Sequence, residues 1–215
     1  MTEVKIVSTA QAVVDPDGNK LFILKRGEQV NLTRLDPTLK RIMVGVGWDV
    51  IGFDSEAPDL DVSLFLLDKN DQTRMDEDFV FYNNLKSLEG SAEHMGDNRT
   101  GAGDGDDENA LIDLMGLPFE IMKIAFVVSI YDAAMRDQSF KSVRNCFLRI
   151  VNQETGIELM RFNLDHEFEE NPKATAVTVG ILERAGPDWM FIGTGHLDDG
   201  GLPKIATSYG IVVAM

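Results

Sequence analysis

Ile42-Met43-Val44-Gly45-Val46-Gly47-Trp48-Asp49-Val50 alternates with a period of two. Ile42, Val44, Val46, Trp48 and Val50 fall on one side, with Gly45 and Gly47 opposite. Successive side chains of a strand point to opposite faces, so the stretch reads as a strand with one buried face. The glycines on the other face point to close approach by another backbone. Asp59-Leu60-Asp61-Val62-Ser63-Leu64-Phe65-Leu66-Leu67 repeats the alternation, with Leu60, Val62, Leu64 and Leu66 together. Asp59 and Asp61 then share the other face at the strand's start. Two carboxylates so placed suit a metal edge or a solvated strand entry, and the spacing alone does not choose between them.

Outward from these two strands the chain keeps the same character. Val4 to Val14 is apolar and β-prone, Asp15-Pro16-Asp17-Gly18 is a turn signal, and Leu21 to Leu24 completes a hairpin. Asp76 to Asp78 is an acidic patch that reads as exposed, followed by a short aromatic strand, Phe79 to Tyr82. Asn109 to Leu114 is a short strand or one helical turn. Ile121 to Tyr131, rich in Ile, Val and Phe, reads as a central strand buried on both faces. Asp132 to Asn145 is the best helix candidate. Cys146–Val151, Ile157–Leu164, Ala176–Glu183 and Trp189–Gly193 follow as strands, separated by turn signals such as Glu170-Asn171-Pro172. Many short strands spaced by about ten residues make a sandwich or a barrel. Nothing in the 215 residues reads as a linker, so the expectation is one domain over 1–215.

Between the strands lies Gly96-Asp97-Asn98-Arg99-Thr100-Gly101-Ala102-Gly103-Asp104-Gly105-Asp106-Asp107-Glu108. It gathers the carboxylates of Asp97, Asp104, Asp106, Asp107 and Glu108 and the amide of Asn98, separated mainly by glycine. Crowded carboxylates repel one another unless a cation sits among them, and hard oxygen ligands on a flexible loop favour calcium. The carbonyls of Gly101 and Gly103 are expected neutral ligands. The stretch is not an EF-hand: positions three, five and six of such a loop would be Arg99, Gly101 and Ala102. At least one calcium ion is expected, and the number of carboxylates points to two.

The net charge of −16 argues against nucleic-acid binding and against docking on anionic lipid by charge alone. The lone cysteine, Cys146, sits in an apolar run, which excludes an internal disulfide and fits a buried small hydrophobe in a reducing compartment. Met1 to Ala10 lacks a signal-peptide pattern, and no apolar run reaches the ~18–20 residues of a membrane span. The expectation is a cytoplasmic protein without direct membrane insertion. His94, His166 and His196 each lie near carboxylates, yet no nucleophile elbow or His-x-x-x-His pair accompanies them. Gly45 to Gly52 lacks the lysine of a phosphate loop, and Trp48 and Trp189 read as core. No catalytic residue is expected; the alternative is a metal-dependent hydrolase in which the acidic cage activates water and His94 or His196 is the base.

These stretches resemble the TerD family of tellurite-resistance and general stress-response proteins. The resemblance is carried by Val44-Gly45-Val46-Gly47-Trp48-Asp49, Asp59-Leu60-Asp61-Val62-Ser63 and Val80-Phe81-Tyr82-Asn83-Asn84-Leu85. It continues through His94 to Glu108 without interruption, then Ser129-Ile130-Tyr131-Asp132-Ala133 and Gln138-Ser139-Phe140 with Val143 and Asn145. It implies a β-sandwich of two mostly antiparallel sheets with few short helices, binding calcium through the loop and Asp59 and Asp61, with no established enzymatic activity. It also implies sister tellurite-resistance proteins as partners and an integral membrane partner at the inner face of the membrane. The chain departs from the family pattern in an extra N-terminal segment, Met1 to about Asn19, and in Glu183-Arg184, where an aromatic is expected before the arginine.

Overall fold

A computed structural model describes residues 8–51, 57–96 and 105–213. A hairpin opens it, β1 (Gln11–Val14) and β2 (Lys20–Leu24), paired Gln11 to Ile23 and Val14 to Lys20. The Asp15 carboxylate closes its turn by accepting the Asp17 and Asn19 amide N–H groups and the Asn19 side-chain amide. Gly18 supplies the left-handed residue at φ 87°. Next come β3 (Gln29–Asn31), the single turn α1 (Leu32–Leu35), β4 (Arg41–Val50) and β5 (Leu60–Leu67). The short strands β6 (Phe79–Val80), β7 (Ala92–His94) and β8 (Glu108–Asp113) lead to β9 (Lys123–Ile130) and α2 (Ala133–Arg136). The chain ends in β10 (Val143–Asn152), β11 (Glu158–Asn163), α3 (Asp165–Glu170), β12 (Ala176–Ala185), β13 (Asp188–Asp198) and α4 (Gly201–Ser208).

Among the described residues the strands form two sheets, seven-stranded in the order β1-β2-β11-β10-β4-β8-β7 and six-stranded in the order β3-β13-β12-β9-β5-β6. The pairing is antiparallel except between β11 and β2, which run parallel. The expected sandwich is therefore the fold. Its core lies between the sheets, where Val44, Val46, Leu148 and Ile150 of one meet Leu64, Phe126, Val128, Val179 and Phe191 of the other. Neither tryptophan is more than 6% exposed, and Cys146 is fully buried, its thiol pushed well above its ordinary range by that burial.

A second apolar layer explains the run at Ile121–Tyr131. Phe65 and Leu67 of β5 and Ala125 and Val127 of β9 point away from the main core and are covered by Ile205 and Ala206 of α4. β9 lies between β12 and β5, and both of its faces are buried, as its continuous apolar sequence implies.

Two sequence expectations need correction. Asp132–Asn145 holds only the four residues of α2 and a 3-10 turn, Phe140–Ser142, before β10 begins. Asp132 and Asp137, on either side of α2, are both left-handed, at φ 49° and 51°, so the helix cannot extend past them. Among the described residues the longest helix is α4, where buried Ile205 and Ala206 and half-buried Leu202, with Tyr209 just beyond, have helical spacing. Pro203 is tolerated there because it stands in the first turn.

The second correction concerns Asp78. Asp76 and Glu77 are exposed as expected, but Asp78 is fully buried. Its two oxygens accept from Arg74 Nε and a terminal nitrogen, each at 2.8 Å. Arg74 also reaches Glu89 at 3.1 Å and Glu120 at 3.9 Å, tying together the segments before β6, β7 and β9. Removing one partner of a buried pair strands the other charge. Arg74→Ala should lower stability by about 3 kcal/mol in urea unfolding; a loss under about 1 kcal/mol would show that the clasp is not a structural anchor.

Candidate metal centre

The expected ligand residues fall into two groups. Asp97, Asn98, Gly101, Gly103 and Asp104 lie outside the described residues. Asp59, Asp61, Asp106, Asp107 and Glu108 are described. Asp59 is 8% exposed, Asp61 3%, Asp107 7% and Glu108 0%. A solvated strand entry would leave Asp59 and Asp61 in water, so that reading is set aside. Asp61 lies opposite Ser129 of β9, and the Asp59 carbonyl accepts the Tyr131 amide N–H, which fixes this end of β5 in the sheet.

Glu108 opens β8 and pairs with Val46 of β4. Cross-strand partners share a face, so Glu108 is on the core side. His94 of β7 lies beside it, with Nε2 3.0 Å from Glu108 Oε2 but out of line for a good hydrogen bond. His94 Nδ1 accepts the Gly96 amide N–H at 3.2 Å, which assigns the ring proton to Nε2, toward Glu108. Asp107 donates its amide N–H to the Val46 carbonyl, and its Oδ2 accepts the Trp48 amide N–H at 3.1 Å. Burial pushes the Asp107 carboxyl above its ordinary value of 3.8; the Trp48 amide pulls it back, and the charges of Asp49, Asp106 and Glu108 raise it further.

Asp106 is placed differently. Both of its oxygens accept from Arg149, Nε at 2.7 Å and a terminal nitrogen at 3.0 Å. Arg149 in turn reaches Glu158 at 2.9 Å, and Glu158 is gripped by Arg161. Burial works against the Glu158 charge, but Arg161 and Arg149 hold its carboxyl below the ordinary 4.5. The Arg161 guanidinium stacks over Phe147 at 4.1 Å.

The glycines of β4 make this arrangement possible. A side chain at Gly45 would occupy the place of the Asp106 carboxylate. A Cβ at Gly47 would stand 2.6 Å from the Gly105 carbonyl and 2.6 Å from the Phe147 ring. The close approach read from these glycines is thus made by residues 105 and 106, the last part of the acidic loop.

Strand directions bring the buried carboxylates to one end of the sandwich. Arg74 gathers Glu120, just before β9, whose start faces Leu67 of β5, and Glu89, two residues before Ser91, whose carbonyl accepts the Asp113 amide N–H at the end of β8. The late ends of β5 and β8 therefore lie together. Asp59 and Asp61 share the opposite end with Asp107 and Glu108. Among the described residues, no three His, Cys, Asp or Glu side chains converge closely enough to hold a metal by themselves. Of the other histidines, His166 approaches Glu170 at 3.5 Å with its side chain 77% exposed, and His196 is exposed on β13. Arg149 was not singled out in the sequence; only the strand register, which pairs it with Gly45, reveals it.

The TerD domain family model matches residues 22–209. General stress protein 16U of Bacillus subtilis strain 168 is 45% identical over 191 residues, spanning 88% of this chain and 97% of the relative. Tellurium resistance protein TerD of Serratia marcescens is 45% identical over 188 residues, spanning 87% and 96%. A solved structure of a TerD homologue from Streptomyces coelicolor A3(2) superposes with a TM-score of 0.63 at 24% identity, over 78% of this chain and 95% of that one, and supports the fold.

Two outcomes follow from the geometry. Gly47→Ala has to displace the Gly105 carbonyl or the Phe147 ring, and overpacking of this kind costs about 1–3 kcal/mol; a variant as stable as the parent in urea would show the approach to be loose. Asp107 is held above 3.8 in the fold, so its ionised form disfavours the folded state. That penalty is present at neutral pH, fades as pH falls through the raised value, and is absent below about 3.8, where folded and unfolded forms are both protonated. In chelator, Asp107→Asn should melt higher than the parent at pH 7, and the difference should vanish near pH 3.5. A lower melting temperature at pH 7 would contradict this.

Proposed function

The chain belongs to the TerD family, and from its buried carboxylates we propose that it is a calcium-binding stress-response module of the tellurite-resistance type, acting through protein–protein contacts and not as an enzyme. The carrying observation is that Asp59, Asp61, Asp107 and Glu108 are all under 10% exposed at one end of a sandwich. A set of buried side chains made only of oxygen donors fits a hard dication such as calcium. In this reading those four residues, with Asp97, Asn98, Asp104 and the carbonyls of Gly101 and Gly103, would hold one or two calcium ions. The ions would offset the burial and the neighbouring charges that raise Asp107 and order the glycine-rich loop. Asp106 gives both oxygens to Arg149, and its part is to fix the loop end against β4.

The relatives are named for tellurium resistance and general stress, which supports the same setting for this chain. Among the described residues no helix is long and apolar enough to cross a membrane. A cytoplasmic place, with contact to the inner face of the membrane through an integral membrane partner and with sister proteins of the family, belongs to the proposal. Nucleic acid does not, given the charge of −16.

In this reading folding would be what brings ligands from β5, β8 and the loop together, so calcium should stabilise the folded chain by mass action. At free calcium about 100 times the dissociation constant, the gain is ~2.7 kcal/mol per independent site. Melting curves should shift up with calcium, less with magnesium, and return on chelation; Asp61→Asn should remove at least one site in calorimetry. Identical curves in calcium and chelator, with an unchanged stoichiometry in Asp61→Asn, would end the proposal.

A further inference from the structure

Away from the loop, an open groove of about 770 Å³ runs along the outer side of the six-stranded sheet, between α2 and α4. Its volume is that of small-molecule sites, which span roughly 300–1,000 Å³. Aromatic rings line one side in a continuous ladder. Phe79 and Phe81 are stacked at 4.1 Å, Phe81 meets Tyr82 edge-on at 5.0 Å, and Tyr82 meets Tyr131 edge-on at 5.4 Å. The ladder is anchored in the second core by Phe65, stacked on Phe79 at 4.3 Å. It is therefore a rigid wall.

The charge on the rim is of one sign. Asp76 and Glu77 stand at one edge, Asp132 and Asp199 at another, and all four are exposed. Asp132 is held in its place by a left-handed backbone. Among the described residues that line the groove there is no Lys, Arg or His. An apolar wall under a ring of carboxylates repels anions and gives a neutral apolar molecule nothing to pair with the rim. It matches a molecule with an apolar body and a delocalised or quaternary positive charge, which the ring faces also attract. The Arg136 guanidinium lies 5.2 Å from the centre of Tyr131, which leaves Phe81 and Tyr82 as the rings for a ligand cation.

We propose that this groove is a binding site for small organic cations with an apolar body. The groove adjoins the proposed calcium ligands at Asp61, which borders it, while its rim carboxylates and aromatic wall lie outside that ligand set. Two near-isosteric ions make the test. Tetraphenylphosphonium and tetraphenylborate differ mainly in the sign of their charge, and calorimetry of the full chain in calcium buffer measures both. The phosphonium should bind one to one, at least tenfold more tightly than the borate, and its affinity should fall with added salt. Asp132→Asn combined with Glu77→Gln should weaken it at least threefold and flatten the salt dependence. Ala134 is exposed on α2 and lines the groove, so Ala134→Trp should fill the space without disturbing the core and cut affinity at least tenfold. Equal affinity for the two ions, no binding of the phosphonium, or full affinity in the Ala134→Trp variant would each overturn the proposal. Capture of a Lys/Leu-rich octapeptide without capture of the phosphonium would overturn it in favour of a basic peptide partner.

Discussion

The approach of residues 105 and 106 to β4 is the constraint on which the candidate site depends. It needs two glycines on the outer face of a strand whose inner face is Val44, Val46 and Trp48. Glycine in a strand interior weakens the strand, since it packs nothing and loses more backbone freedom on folding. Here the missing side chains are replaced from elsewhere. The Asp106 carboxylate fills the place above Gly45 and the Phe147 ring fills that above Gly47. Arg149 then holds Asp106 from the neighbouring strand. With that end fixed, the next two residues have a determined course: Asp107 bonds to Val46 and Trp48, and Glu108 turns into the space between the sheets.

The same constraint explains why carboxylates can be buried at all in this place. Their backbone neighbours are fully committed to a sheet, so they are not carried out to solvent when they repel one another. Asp107 shows the cost in a carboxyl raised by burial and by the charges around it. His94 stands beside Glu108 inside the sandwich, with Nε2 3.0 Å from Oε2. At the opposite end, Asp78 meets the same difficulty differently, with a bidentate arginine at 2.8 Å. Asp106 at the loop end is held in the same way, by two nitrogens of Arg149, so a bidentate arginine anchors a carboxylate at each end of the sandwich.

How much of this was legible depends on whether the information is local. The alternation of β4 and β5, the Asp15–Gly18 turn and the strands from β10 to β13 are local patterns, and the structure bears them out with boundary shifts of a few residues. Gly45 and Gly47 were legible as a close approach, but what approaches them was not, because residues 105 and 106 are some sixty positions away. Asp78 and Arg149 were misjudged or missed for a related reason. An acidic triplet looks like a solvated face until Arg74 folds over it, and an arginine in a strand looks solvent-facing until the register sets it beside Gly45. The helix at 201–208 had a local signal, Leu202, Ile205, Ala206 and Tyr209 at helical spacing, hidden behind a Gly-Gly-Leu-Pro opening that reads as a turn.

α4 also decides what the outer side of the six-stranded sheet can do. β5 and β9 present apolar residues on both faces, so one helix must cover Phe65, Leu67, Ala125 and Val127. Eight residues of helix extend only about 12 Å. That is shorter than the eight-residue strands beneath, which at about 3.3 Å per residue run to about 26 Å. The part of the sheet beyond the helix is left to the aromatic ladder, whose inner rings, Phe65 and Phe79, are buried and whose outer rings, Phe81, Tyr82 and Tyr131, are partly exposed. The groove is therefore a consequence of covering a long two-sided sheet with a short helix. Its acidic rim comes from Asp132 and Asp199, in the turns that lead into α2 and α4, and from the exposed residues that precede β6.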